Sequence, residues 1–427
     1  MRVVGESVKR SLVAVLILGL LFLLSFRVLG TGEDDVLWVE ATGSPIELAI
    51  GQPSTIAFGD FNEDGNVDLV VSATQGVTSL LEENTSWTRN LVISFGDGTG
   101  SFNGPIFVVE EEEKSYIDFL WLLVEDVNSD GHLDLVLLDA KTVDLGGNGV
   151  TVLLGDGTGK FSHHQQIKVG SWPTNLVGCD FNADGYIDVA IADPHARAVY
   201  VAWGEDGGFL NKIPESILSR EDLHPVKLAT GELNGDGHMD LALAGFVGIG
   251  GDLYKRFVLI LLGDGFGGFQ EGDIIMFGSA GGAGGWANLS IVDYNQDGLL
   301  DLISSTKDAV VAFLNQPSGE IQEEVLLELD IEDSYAQIMP EHFNKDSCFD
   351  WLIVHTRSDR TEIEISTCNT SRHSVVTFVL NPTPVTAAIA DVDNDGDSDI
   401  ALLFNGTMLV GGEMKELTYV SILLNDL

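Results

Sequence analysis

The chain has 427 residues, 66 of them Asp or Glu and only 21 Lys or Arg, which sets a formal net charge of −45 at pH 7. So acidic a surface repels phosphate backbones and anionic headgroups, and this disfavours nucleic acid and anionic lipid as direct partners. The three cysteines, Cys179, Cys348 and Cys368, are too few for a disulfide framework, so apolar burial has to hold the fold together.

The chain opens with Arg2, Lys9 and Arg10, followed by an uninterrupted apolar run from Ser11 to Phe26. Arg27-Val28-Leu29-Gly30 comes next, and then the acidic Glu33-Asp34-Asp35. Residues 1–30 read as a signal peptide or signal anchor, and residues 31–427 as the exported, folded part. A secreted or cell-surface location is expected, with membrane contact only through that first segment.

From residue 60 onward one nine-residue pattern is written six times: an acid at position 1, Asn or Asp at 3, Asp at 5, Gly at 6 and Asp at 9. Positions 1, 3, 5, 7 and 9 are Asp60, Asn62, Asp64, Asn66 and Asp68 in the first copy, and Asp126, Asn128, Asp130, His132 and Asp134 in the second. The third has Asp180, Asn182, Asp184, Tyr186 and Asp188, and the fourth Glu232, Asn234, Asp236, His238 and Asp240. The fifth has Asp293, Asn295, Asp297, Leu299 and Asp301, and the last Asp391, Asp393, Asp395, Asp397 and Asp399. A decayed copy runs from His342 to Asp350, with His342 and Ser347 in place of the first acid and the Gly.

The spacing has a chemical meaning. Oxygens at positions 1, 3 and 5 of a tight turn converge on one point, position 7 offers its backbone carbonyl, and the acid at 9 closes the shell. Gly at 6 lets the chain take a positive φ. Hard, mostly anionic oxygen ligands suit calcium better than zinc, and magnesium would resist giving up its waters. Five to six Ca2+ sites are expected. A single copy would equally be an Asx-rich turn holding no metal, but six in one register argue for metal. His132 and His238 stand at position 7, where only the carbonyl is needed.

Around each loop short Val/Ile/Leu-rich runs bounded by Gly and Asp read as strands. In the third repeat these are Thr174–Gly178, Asp188–Ala192, Val199–Trp203 and, as a fourth, Phe209–Ile213. Pro53, Pro173, Pro225 and Pro384 each stand seven residues before position 1, where a proline can begin a strand. A Gly-rich turn follows the third strand at Gly96–Phe102, Gly155–Phe161 and Gly263–Phe269. Four strands per repeat predict an all-β, seven-bladed β-propeller of antiparallel blades. The last repeat stops before a fourth strand, and the alternating segment Ile46–Ile50 is expected to supply it from the N-terminus.

These motifs, Asp-Phe-Asn-x-Asp-Gly-x-x-Asp followed by Gly-Asp-Gly-x-Gly-x-Phe, resemble the FG-GAP or VCBS repeats, the calcium-loop blades also found in the integrin α-subunit head. The resemblance covers about residues 36 to 427 and implies a seven-bladed propeller that binds partners on the face away from its metals.

Strand reversal puts the calcium loops and Gly-rich turns on one face. The other face is expected to carry irregular recognition segments: Gln75–Asn90 with Trp87, Glu110–Glu113, Lys141–Gly149, Phe246–Arg256, Gly278–Trp286 and Asn405–Lys415. Trp87 and Trp286 are candidates for stacking on sugars. The turn Asp193-Pro-His195-Ala-Arg197 groups an acid, an imidazole and a guanidinium, a combination that surface turns often collect without catalysis. No nucleophile elbow, zinc site or nucleotide fingerprint is present. The expected function is a calcium-binding adhesion or recognition module for an extracellular protein or glycan, without catalysis. The alternative is a carbohydrate-active enzyme such as a polysaccharide lyase, which would need a base and a carboxylate-neutralising group in the central pocket. Finally, Cys348 at position 7 of the decayed loop and Cys368, placed in the turn after the third strand, are expected on one face and joined by a disulfide.

Overall fold

The computed structural model describes residues 37–48, 51–78, 85–113, 117–141, 149–250, 253–281, 288–305, 309–316, 320–328, 335–343, 349–356, 361–369, 372–380, 384–410 and 413–426. Residues 1–30, read above as a signal peptide or signal anchor, lie outside them. Among the described residues every regular element is a β-strand, and no helix is long and apolar enough to cross a membrane.

Among the described residues the strands form seven larger antiparallel sheets, here units 1 to 7, and one two-stranded ribbon; apart from strands contributed to unit 7 by the N-terminal segment, each unit's strands pair in sequence order. Unit 1 comprises Gln52–Gly59, Asp68–Thr78, Thr85–Ser94 and Ile106–Glu113. Unit 2 comprises Ile117–Glu125, Asp134–Lys141, Gly149–Gly155 and Phe161–Lys168. Unit 3 comprises Asn175–Cys179, Asp188–Asp193, Ala198–Ala202 and Glu215–Ser219. Unit 4 comprises Leu223–Gly231, Asp240–Gly250, Leu253–Gly263 and Phe269–Gly281, and unit 5 Leu289–Val292, Asp301–Ser305, Ala309–Asn315 and Ile321–Glu328. Unit 6 comprises Tyr335–Glu341, Asp350–Thr356, Thr361–Asn369 and Arg372–Leu380. Unit 7 has Pro384–Ala390, Asp399–Val410 and Glu413–Asp426.

The missing outer strand of unit 7 does come from the N-terminus, and in two pieces. Leu37–Glu40 pairs antiparallel with Leu423–Asp426, and Ile46–Glu47 pairs with Tyr419–Val420. The donated segment therefore starts upstream of the expected one, because the long third strand of unit 7 offers an edge on both sides of the break.

Second strands such as Asp188–Asp193 and Asp301–Ser305 are buried at every residue. A strand covered on both faces reads as a continuous apolar run, which explains their lack of alternation. The cover comes from neighbouring units. Apolar clusters join unit 7 to 1, 1 to 2, 2 to 3, 3 to 4, 4 to 5, 5 to 6 and 6 to 7. No unit has a core of its own; the cores lie in the seams.

First strands of neighbouring units lie side by side. Contacts run from unit 1 through unit 6 in order and from unit 7 back to unit 1. Gln337 links units 6 and 7, its Oε1 accepting from Ala387 N at 3.2 Å. The side chain five residues before position 1 is Thr55, Trp121, Asn175, Lys227, Asn288, Gln337 or Thr386 in successive units, a mostly polar ring. Lys227 Nζ sits 3.4 Å from the centroid of the Trp121 ring, reaching from unit 4 to unit 2 past unit 3.

Pro53, Pro225 and Pro384 stand at register shifts, where a β-bulge leaves the missing N–H without a ladder partner. In unit 3 the fourth strand is Glu215–Ser219, not Phe209–Ile213. Phe209–Leu210 instead pairs with Gly204–Glu205, and the Gln165 side chain of unit 2 bonds both Leu210 N and Leu210 O, at 2.8 and 2.7 Å. That cross-seam grip holds the segment away from the ladder.

Candidate metal centres

Each nine-residue loop joins the first and second strands of its unit. In units 1, 2, 3 and 5 the geometry repeats closely. In unit 1, Asp64 N donates to Asp60 Oδ1 at 3.1 Å and to Asn62 Oδ1 at 2.9 Å, while Gly65 N donates to Asp60 Oδ2 at 2.9 Å. Asn66 N donates to Asp64 Oδ1 at 2.9 Å. The same bonds hold Asp126, Asn128 and Asp130, then Asp180, Asn182 and Asp184, then Asp293, Asn295 and Asp297. The oxygens of positions 1, 3 and 5 thus converge on the inside of one turn. Glu232, one methylene longer, folds over its turn so that Oε1 accepts from Asn234 N, Gly235 N and Asp236 N.

Position 6 takes a positive φ, as expected, and so does position 4. Glu63, Ser129, Ala183, Gln296 and Asn394 all have φ between 56° and 59°. Two left-handed residues on either side of position 5 curl the loop tightly, and no residue preference at position 4 signals this.

Unit 7 differs chemically. Positions 1, 3 and 5 are all carboxylates, and oxygens of Asp391, Asp393 and Asp395 lie within 4.8 Å of one another. Where the other loops have an Asn at position 3, Asp393 has no amide hydrogens to offer, and its Oδ1 is buried without a hydrogen-bond partner. Burial, then the charges of Asp395 and Asp391, hold the Asp393 carboxyl above its usual range. An orphaned, desolvated anionic oxygen beside two like charges fits a hard cation, and calcium in particular.

Position 9 is placed differently from the expected shell-closing ligand. Asp68 is fully buried; Oδ2 accepts from Phe61 N at 2.9 Å and Oδ1 from Gly96 N at 3.0 Å. Asp134, Asp188, Asp240, Asp301 and Asp399 make the same pair of bonds, to position 2 of their own loop and to the end of the third strand. Asp350 of the decayed loop bonds Phe343 N in the same way at 2.9 Å. The aspartate braces the loop against the adjoining turn. Glycine is needed at Gly96 because a Cβ would collide with the Val67 carbonyl.

Side chains at position 7 reach along the seams. His132 Nδ1 meets Glu63 of the preceding loop, and Asn394 Nδ2 of unit 7 donates to Asn66 Oδ1 of unit 1 at 3.0 Å. Tyr186, His238 and Leu299 each donate a backbone N–H to position 5 of their own loop, as Asp397 does. The carbonyl of position 2 also carries a seam bond, from Gly159 N to Phe61 O at 2.8 Å and from Gly100 N to Val392 O at 3.2 Å. Where the Gly-rich turn is lacking, an Asn replaces it: Asn425 Nδ2 donates to Phe343 O at 2.6 Å, and Asn315 Nδ2 donates to Leu233 O. Loops and turns share one face, as strand reversal requires.

On the opposite face several segments expected to be irregular are extensions of long strands. Gln75–Thr78 pairs with Thr85–Thr88, Phe246–Gly250 with Leu253–Arg256, and Asn405–Val410 with Glu413–Thr418. Glu110–Glu113 continues the outer strand of unit 1 against Trp87–Asn90. Most of Lys141–Gly149 and the end of Gly278–Trp286, with Trp286, lie outside the described residues. Asp193 is fully buried, its oxygens taking Ser171 N, Trp172 N and Ala196 N at 2.5, 2.9 and 2.7 Å. Arg197 donates to Glu221 O, and His195 Nδ1 lies 3.1 Å from Ser171 Oγ. The turn is therefore scaffold for the linker that presents Trp172, 44% exposed, an aromatic the sequence did not single out.

Cys348 lies outside the described residues. Cys368 is paired with His373 inside the third strand of unit 6, ahead of the turn where it was expected. Cys179 is a free thiol, pushed up to about 11 by burial first and then by the charge of Asp180.

A family model of the FG-GAP-like repeat matches residues 126–191 and 180–243, spanning the loops of units 2, 3 and 4. That segment therefore carries FG-GAP-like repeats. No curated protein matches it in sequence. Among solved structures it is similar to BBS1N in complex with ARL6DN, with a TM-score of 0.51 at 9% identity, over 91% of this chain and 97% of that one. An Agrocybe aegerita lectin that recognises non-reducing terminal N-acetylglucosamine matches at TM-score 0.46 and 14% identity, over 79% and 92%. A Photorhabdus luminescens Tc holotoxin pore matches at TM-score 0.34 and 15% identity, over 83% of this chain and 17% of that chain. At such identity the likeness to BBS1N speaks to the fold alone, and the other two carry no argument.

Proposed function

We propose that the chain is an exported seven-bladed β-propeller that binds calcium in five to six loops on one face and recognises an extracellular protein or glycan on the other. The observation that carries the calcium reading is the three-carboxylate cluster of unit 7 with its orphaned Asp393 oxygen. The repeated convergence of oxygens in units 1 to 5 extends it. Calcium then has a structural role, holding the loop face while long hairpins and Trp172 project from the other face. The binding role is supported by the commitment of Asp193 and Arg197 to backbone bonds, which removes the acid and guanidinium of the one turn with catalytic residue types. The net charge of −45 disfavours nucleic acid as a partner.

The test pairs calorimetric calcium titration with glycan and extracellular-protein arrays, each run with calcium and with chelator. Calcium uptake together with a ligand lost on Trp172→Ala, at unchanged melting temperature, supports the proposal. No calcium uptake, or binding that survives Trp172→Ala but fails on substitutions in the loop face, overturns it.

A further inference from the structure

On the face opposite the loops, the hairpin of unit 4 carries aromatic side chains that belong to neither of its seam cores. Phe246 stands directly across from His224 on the first strand, and the two rings stack at 4.8 Å, 13° from parallel. The Tyr254 ring meets them edge to face, 5.3 Å and 89° from Phe246 and 6.3 Å and 79° from His224. A stacked pair with a perpendicular ring beside it makes a corner, and all three side chains are only half-buried.

The space beside that corner is open. The residues directly opposite Tyr254 are Gly248 on one neighbouring strand and Gly281 on the other. A Cβ placed on Gly248 would meet nothing nearer than the edge of the Tyr254 ring, at 3.8 Å. An aromatic residue that ties a hairpin together packs on the side chains directly across the ladder, and Tyr254 has none there on either side.

The rings also offer polar edges. His224 Nδ1 donates to Pro194 O at 2.9 Å, which leaves Nε2 of the neutral ring as an acceptor. Among the described residues neither that Nε2 nor the Tyr254 hydroxyl has a hydrogen-bond partner. Aromatic faces for C–H groups, bordered by a few polar atoms, match a sugar ring, whose hydroxyls surround an apolar patch. Charge narrows the choice of sugar. Arg256, directly across from Phe246 on the next strand, opposes a cationic guest, and the net charge of −45 opposes an anionic one. We propose that Phe246, Tyr254 and His224 form a binding site for one neutral pyranose ring of an oligosaccharide, seated over Gly248. The proposal rests on the reading of this face as the recognition face. Pro194 follows Asp193, which accepts from Trp172 N at 2.9 Å, so a single turn joins the site to Trp172.

The test screens the mature chain in calcium on an array of neutral and uronic oligosaccharides, with choline as the cationic control, and titrates the best ligand by calorimetry. A neutral oligosaccharide should bind best. Gly248→Leu fills the open space at a residue whose φ is not positive, so it should cut that affinity at least about tenfold at an unchanged melting temperature. Tyr254→Ala removes the wall of the corner and should lose as much, with binding read well below the melting temperature of the variant. Absence of any neutral ligand, unchanged affinity in either variant, or tighter binding of choline or a uronic sugar overturns the site. A ligand lost on Trp172→Ala but indifferent to Gly248→Leu overturns it too, while leaving the reading of this face as the recognition face intact.

Discussion

The aspartate at position 9 makes the same bond to position 2 in all seven loops, including the one that has lost its first acid and its Gly. Asp350→Asn isolates that role from metal binding. It should lower stability by about 1.5–3 kcal/mol, the usual cost of losing a charged hydrogen bond in a buried place, and by the same amount in calcium and in chelator. Asp393→Asn should behave in the opposite sense. It restores the Asn of the other loops and removes one of three crowded charges, so melting in chelator should rise while the increment from calcium shrinks. The braces also titrate. Burial pushes Asp68, Asp134 and Asp188 up to about 6 and Asp399 to about 7. Their folded values lie above the unfolded one, so the folded state holds protons that the unfolded chain has released. Stability without metal is therefore greatest at low pH and falls as pH rises through about 6 to 7. Scanning calorimetry in chelator should show the melting temperature rising as pH is lowered from about 7.5 to about 5.5, and falling over the same range in excess calcium, where protons compete for the ligands.

At the scale of elements, the seam is the unit of construction. The third glycine of the Gly-rich turns in units 1 and 2 hooks its unit to the preceding one, and in units 5 and 7 Asn315 or Asn425 makes the equivalent bond with its side chain. The N-terminal strand closes the last sheet by the same logic, since an unpaired third strand would leave a long open edge. Removing residues 1–36 should leave the melting temperature unchanged, whereas removing residues 1–48 deletes Leu37–Glu40 and Ile46–Glu47 from unit 7 and should lower it sharply. Thermal melting of the two truncations, both in calcium, checks this. Equal melting curves would show that the edge needs no partner.

At the scale of the molecule, cores that lie only between units make each unit depend on two neighbours, so damage at one seam is felt around the ring. The proposed calcium at five to six loops would add to this by mass action, because the loops exist only in the folded state. Chelation should lower the melting temperature, and calorimetry should find weak sites, with dissociation constants on the order of 10⁻⁴ to 10⁻³ M as in extracellular modules. A melting curve indifferent to chelator would reduce the loops to Asx turns.

Much of this was legible in the sequence because it is local and repeated. Loop spacing, strand positions, the face shared by loops and turns, and the need for a donated strand all follow from a nine-residue motif written over and over. The left-handed residue at position 4 was not legible, since Glu, Ser, Ala, Gln and Asn share no preference that announces it. Nor was the bracing role of position 9, because its second partner lies 28 residues away for Asp68 and only pairing of the second and third strands brings them together. The strand-like continuation of the long hairpins was misjudged where Gly and polar residues interrupt the apolar pattern. The contact of Lys227 with Trp121 belongs wholly to the tertiary structure, since the two stand on first strands of units 4 and 2, more than a hundred residues apart in the chain.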